Sequence, residues 1–189
     1  MNKLVAFGAS NSSRSINKQL AHWVSTQYDG ADVDLLDLND FEMPIYSMDR
    51  EQQNGIPEQA YKFKEALKQA DGIIISFAEH NGSYTAAFKN LFDWASRIEK
   101  TMWLNKPMFL LATSPGPRGA KGVLSGAVGA FPYQGGQVAA SFSLPSFNQN
   151  FAPTKGILDQ TLNKDFEVQL ENFKKAIHET KTETTSTPS

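Results

Sequence analysis

Three short apolar runs, each unbroken and closed by a loop of small polar residues, constrain this chain more than any other feature. They are LVAFGA (4–9), DGIIISFA (71–78) and KPMFLLAT (106–113). A strand wet on one face alternates polar and apolar residues. A run with almost no alternation suits a strand buried on both faces, the usual state in a parallel sheet. Segments with helical periodicity separate the runs. Ile16, Leu20, Trp23 and Val24 share a face within 16–28. Pro57 opens a helix over 57–70 that turns Ala60, Phe63, Leu67 and Ala70 inward. Residues 84–98 carry the stripe Tyr84, Ala87, Phe88, Leu91, Phe92, Ala95 and Ile98.

Weaker signals complete the pattern. VDLLDL (33–38) reads as a second strand, QVAASFSL (137–144) as a fifth, and GVLSGAVGAF (122–131) as a helix weakened by glycine. Phe166, Leu170, Phe173 and Ile177 mark a last helix, and 39–57 reads as a long loop. The segment TKTETTSTPS (180–189) has no apolar content and is expected to be disordered, leaving one domain over 1–179. Five strands alternating with helices predict an α/β fold, a parallel sheet covered on both faces, with ligands beyond the carboxyl ends of its strands.

Composition removes several functions. With 18 Lys+Arg against 20 Asp+Glu, the net charge of -2 disfavours a basic surface for nucleic acid or anionic lipid. The absence of Cys removes thiolate nucleophiles, disulfides and cysteine-bound clusters. His22, His80 and His178 match no metal-ligand spacing, so no metal is expected. No apolar run approaches the roughly 18 residues of a membrane span. Met1 leads into a strand without a signal-peptide pattern, and a cytoplasmic location is expected.

Three loops follow the buried strands. GASNSSRSIN (8–17) offers four Ser hydroxyls, two Asn side chains and the amides of a helix start, where a phosphate fits. It equally describes a Ser-rich turn with Ser13 or Ser15 as helix cap. It is neither a GxxxxGK[ST] loop nor a GxGxxG fingerprint. AEHNGSY (78–84) offers Glu79, His80 and Asn81 to a planar heterocycle; the plainer reading is an exposed imidazole and a helix-capping carboxylate. TSPGPRGAKG (113–122) has a shaped backbone, with Arg118 and Lys121 available to an anion or simply solvated. The third strand ends in Ile75, Ser76 and Phe77 without the Asp that a phosphate-accepting receiver domain needs.

Over residues 3 to about 178 the chain resembles the NADPH-dependent FMN reductase family of flavodoxin-like quinone, azo-compound and chromate reductases. ASNSSRSIN (9–17) keeps Ser10, Ser15 and Asn17 of the family pattern GSxRxxSxN. AEHNGSYTAAFKNLFDW (78–94) keeps Glu79, Asn81, Ser83, Lys89, Asn90, Asp93 and Trp94 of PEYNxSxxxxLKNxxDW. Ser114, Pro115, Gly116 and Gly119 follow SPxGxxG loosely. The chain departs from the family at Ser12, where an Arg is expected and Arg14 stands two residues on, at His80 for an aromatic residue, and at Ala78 for Pro.

The resemblance implies a flavodoxin-like three-layer sandwich with a five-stranded parallel sheet in the order 2-1-3-4-5. It implies that Ser10, Ser15 and Asn17 hold the FMN phosphate with Ser12 nearby. Glu79, His80 and Asn81 would line the isoalloxazine, with Ser114 and Gly116 on its other side. No side chain need be catalytic, because FMN N5 carries the chemistry. NADPH or NADH would reduce bound FMN, leave, and be followed by a quinone, flavin or other small acceptor in a ping-pong cycle. A homodimer or homotetramer is expected, with Phe41, Met43, Tyr46, Trp94 and Trp103 as contact candidates that equally suit the chain's own core. The alternative is a flavodoxin-like electron carrier that does not turn over NAD(P)H.

Overall fold

Alternation along each buried strand sends side chains to two separate cores, and this sets the three layers. In β1 (Asn2–Ala9), Leu4 and Ala6 face one side while Val5, Phe7 and Ala9 face the other. In β3 (Gly72–Phe77), Ile74 opposes Ile73, Ile75 and Phe77 in the same way, as do Phe109 and Leu111 against Met108 and Leu110 in β4 (Lys106–Thr113). A computed structural model of the chain describes residues 1–186. Its main sheet is parallel, with strand order β2-β1-β3-β4-β5, as expected.

Edge strands β2 (Ala31–Leu35) and β5 (Gly136–Leu144) flank this core. β2 begins two residues earlier than its apolar run because Ala31 pairs with Asn2. The rest of that run leaves the sheet, where Leu36 and Leu38 bury their side chains beside a 3-10 turn over Leu38–Phe41. One face of the sheet is covered by α1 (Ile16–Thr26) together with the last helix, and contains Leu20, Val24, Phe166, Leu170, Phe173 and Ile177.

The other face packs against residues of α3 (Glu58–Gln69), α4 (Ala86–Ala95) and α5 (Lys121–Ala130). Its aromatic centre is Phe131 in a second 3-10 turn, stacked on Trp103 at 4.4 Å and in contact with Phe77, Tyr84 and Phe92. Rings at these separations resist rearrangement and give the loops above them a rigid base.

Two segments depart from the sequence reading. The loop expected over 39–57 contains α2 (Met48–Asn54), capped by Ser47 and ended by Gly55 at φ 74. None of its residues is buried, so it has no apolar stripe to betray it. After α6 (Phe147–Asn150) and a small hairpin of β6 (Phe151–Ala152) and β7 (Gly156–Ile157), α7 runs from Gln160 to Ser186. Residues 180–186 therefore continue a helix where disorder was expected, and 187–189 lie outside the described residues. Lys181 supplies a tether: its ammonium meets Asp71 Oδ2 at 2.8 Å and Asn2 Oδ1 at 2.7 Å. Among the described residues no helix is long and apolar enough to cross a membrane.

Candidate functional site

The connection after β1 crosses to α1 on one face, and that after β3 crosses to α4 on the other. The crevice where this direction changes is the expected ligand position in an open parallel sheet. A cleft of about 290 Å³ lies there, at the carboxyl ends of β1, β3 and β4. It brings together Ser10, Ser15, Asn17, Glu79, His80 and Ser114, with Arg14 on its wall. Ser12, Asn81 and Gly116 belong to the same loops but stand outside that lining.

The first loop is held open as an arc. Ser12 N–H donates to Ser10 Oγ at 3.2 Å, and Arg14 N–H donates to Ser12 Oγ at 3.3 Å. Each hydroxyl keeps its own hydrogen to donate elsewhere. Ser15 caps α1 by accepting from Lys18 N–H at 3.1 Å. The first four N–H groups of a helix lack intrahelical acceptors. Ser15 takes those of Lys18 and Gln19, which leaves Ile16 and Asn17 to offer theirs at the helix head. Gly8 permits this placement, since a Cβ there would stand 2.7 Å from Lys18 Cα.

Asn17 is 2% exposed, and its side chain is engaged within the fold. Oδ1 accepts from Ser76 Oγ at 2.7 Å and from Thr113 N–H at 3.0 Å, while Nδ2 donates to Thr113 O at 3.1 Å. The carboxamide thus braces α1 against β3 and β4, leaving one Nδ2 hydrogen and the main-chain N–H for a ligand.

The second loop is a tight hairpin. His80 and Ser83 exchange main-chain hydrogen bonds at 3.0 Å, and Asn81 and Gly82 both take positive φ, 53 and 75. Positive φ at both central residues fits a type I′ turn, for which Asn-Gly is the preferred pair; that dipeptide was the available sequence signal. Thr85, absent from the sequence candidates, caps α4 and donates to Ala9 O at 2.9 Å, tying this loop to the end of β1. Glu79 caps a helix too, but a different one from that expected: its Oε2 accepts from Val123 N–H of α5 at 3.0 Å.

The third loop is pinned from outside. Thr113 Oγ1 donates to Leu144 O at 2.7 Å, and Phe147 N–H donates to Ser114 O at 3.0 Å. Gly116 O accepts from Ser114 Oγ at 3.3 Å and from Ser146 N–H at 2.9 Å. Arg118 and Lys121 are exposed beyond it.

The remaining motif residues build the surroundings. Asn90 Nδ2 donates to Met43 O and Pro44 O, its Oδ1 accepts from Tyr46 N–H, and Trp94 Nε1 donates to Pro44 O at 2.7 Å. They fix the segment after the first 3-10 turn beside α4. Met43, Trp94 and Trp103 are buried in the chain's own core, while Phe41 and Tyr46 pack on Phe63 and Trp94. Nearer the first loop, Lys18 pairs with Asp37 and holds its carboxyl below the usual range. Among the described residues no group of three or more His, Asp or Glu is placed to hold a metal.

The model of a family described as NADPH-dependent FMN reductase matches residues 2–149. A 2-hydroxy-1,4-benzoquinone reductase of a Burkholderia species is 37% identical over 107 residues, 56% of this chain and 56% of that protein. A quinone reductase of Escherichia coli strain K12 is 33% identical over 75 residues, 40% of each chain. In these alignments the chain spans about half the length of the curated relatives it matches. Among solved structures, FerB, a flavoenzyme NAD(P)H:(acceptor) oxidoreductase from Paracoccus denitrificans, has a TM-score of 0.75 at 22% identity. That match covers 95% of this chain and 98% of FerB, and is a likeness of fold.

The brace at Asn17 makes a prediction about the ligand-free protein. Asn17→Asp sets a buried carboxylate against Thr113 O and removes the donor that met it, so urea denaturation should show a loss of about 3 kcal/mol. An unchanged midpoint would contradict the bracing role.

Proposed function

We propose that this chain, which belongs to the NADPH-dependent FMN reductase family, binds FMN in the cleft at the ends of β1, β3 and β4. We propose further that it accepts a hydride from NADPH or NADH and passes the electrons to a quinone, a flavin or another small acceptor. The observation that carries this reading is the convergence of the head of α1 with Ser10, Ser15 and Arg14 on a cleft whose other walls come from the loops after β3 and β4.

The residues present suit the group. A phosphate needs several donors and some positive charge, and the head of a helix supplies both. The N–H groups of Ile16 and Asn17, the hydroxyl of Ser10 and the side chain of Arg14 would hold it, with Ser12 nearby. Arg14 lines the cleft, whereas Ser12, at the family's Arg position, turns its Oγ to the Arg14 amide. The cation has therefore moved along the loop in this reading. The planar ring would lie between the hairpin at 78–83 and the loop at 114–119, read by His80, Asn81, Ser114 and Gly116.

When bound, FMN supplies the hydride-accepting centre, which is why no catalytic side chain is assigned. The chain's own part is to bind and orient. Arg14 offsets phosphate charge, Asn17 keeps the helix head aligned with β3 and β4, and the hairpin fixes where His80 stands. Nicotinamide and acceptor would use the same opening in turn, which makes the cycle ping-pong. The relatives named quinone reductases support that acceptor class. A homodimer or homotetramer is also proposed. Ile45 and Met48, 74% and 65% exposed beside the anchored segment, offer apolar surface for it in place of the buried tryptophans.

The test is a visible spectrum of the protein reconstituted with FMN, recorded before and after anaerobic addition of NADPH or NADH. Bleaching of bound flavin is expected; bound flavin that stays oxidised with both donors would favour an electron carrier. Arg14→Ala should weaken FMN binding by about 1.5–3 kcal/mol, roughly tenfold or more, with the loss shrinking at high salt. Unchanged affinity would remove Arg14 from the phosphate site.

A further inference from the structure

Glu79 lines the cleft, yet its carboxylate is turned away toward α5. Oε2 accepts from Val123 N–H at 3.0 Å. A Cβ on Gly122 would stand 3.1 and 3.2 Å from the two carboxylate oxygens, closer than ordinary contact, so the carboxylate would have to give by a few tenths of an ångström. Ala120, the residue at the helix's own cap position, lies at φ 57 and offers no side-chain acceptor. Helix α5 thus takes its cap from a loop more than 40 residues earlier, and the glycine at 122 keeps that seat open.

Asn17 holds the start of the loop between them at Thr113, and further along the loop two carbonyls are tied on its far side. Gly119 O accepts from Ser143 Oγ at 2.7 Å and Gly116 O from Ser146 N–H at 2.9 Å, both toward β5 and the turn after it. The hairpin at 78–83 closes on itself through His80 and Ser83. The contact between Glu79 and Val123 therefore ties the hairpin, one wall of the cleft, to the helix into which the loop of the other wall runs.

We infer that Glu79 is a positioning residue for the cofactor: it sets the separation of the hairpin at 78–83 from the loop at 114–120, and its carboxylate serves α5 rather than the flavin ring. This rests on the FMN reading above. Glu79→Ala frees the first turn of α5 and lets the walls drift. Glu79→Gln keeps a side-chain oxygen for Val123 and preserves the spacing. Gly122→Ala displaces the carboxylate without removing it, and adds a residue that favours helix over glycine.

The experiment measures two quantities for these three variants and the wild type: amide exchange at Val123 in the flavin-free protein, and the FMN dissociation constant by fluorescence titration. Glu79→Ala should speed exchange at Val123 about tenfold, the scale of a lost helix cap, and weaken FMN about fivefold. Glu79→Gln should restore both to within about twofold of wild type, since it retains the acceptor. Gly122→Ala should weaken FMN about threefold while its denaturation midpoint does not fall, because the helix itself gains. Unchanged exchange and affinity in Glu79→Ala would overturn the inference, as would Glu79→Gln binding FMN no better than Glu79→Ala, which would place the charge itself at the flavin. Should Glu79→Ala fail to fold, Gly122→Ala alone decides, and wild-type affinity there would count against it. A wild-type protein that binds no FMN would overturn the cofactor reading as well; wild-type binding with unresponsive variants overturns only the positioning role.

Discussion

The Asn17 carboxamide accepts from Ser76 Oγ and Thr113 N–H and donates to Thr113 O, so one side chain in the first turn of α1 touches the ends of both neighbouring central strands. Each of those groups is buried, and a buried polar group left without a partner costs about 1–3 kcal/mol. The arrangement is consequently a narrow one: the helix head sits in this place or several groups lose their partners together. Gly8 removes the Cβ that would keep α1 away, and Thr85 repeats the device from α4 by donating to Ala9 O. The loops that form the cleft inherit their positions from these ties.

The same ties explain why the cleft can be polar without being loose. Beneath it, rings of Phe77, Tyr84, Phe92, Trp103 and Phe131 are packed edge to face and in stacks. Above it, serine hydroxyls and main-chain amides satisfy one another in an order that leaves a few donors outward. Under the proposed reading such a site would need little rearrangement to receive the phosphate, and preorganisation lowers the cost of binding. The Tyr84 phenol beside the hairpin is half-buried, and that burial pushes its pKa above the usual value.

Much of this was legible in the sequence, and the limits have physical causes. β4 coincides with the run KPMFLLAT because burial on both faces needs apolar residues throughout, and such runs are conspicuous. β2 was shifted because Leu36 and Leu38 continue its apolar pattern while serving the core rather than the sheet. α2 escaped because an exposed helix has no stripe, and the end of α7 because Lys181 tethers a segment that has no apolar content. In the cleft, residue types pointed to the three loops but not to directions. Nothing in Asn17 or Glu79 tells from sequence that the first turns inward to Thr113 or that the second reaches Val123. Those roles depend on contacts across 96 and 44 residues.

On the reading proposed above, FMN is held where these three loops meet. The most direct measurement is an FMN titration of the flavin-free, isotope-labelled protein, following main-chain amide resonances. The largest shifts should fall on Ile16 and Asn17 at the head of α1, on residues 78–83, and on residues 114–119, while β2 and the far end of α7 stay still. Shifts concentrated elsewhere, or none at saturating FMN, would contradict that reading.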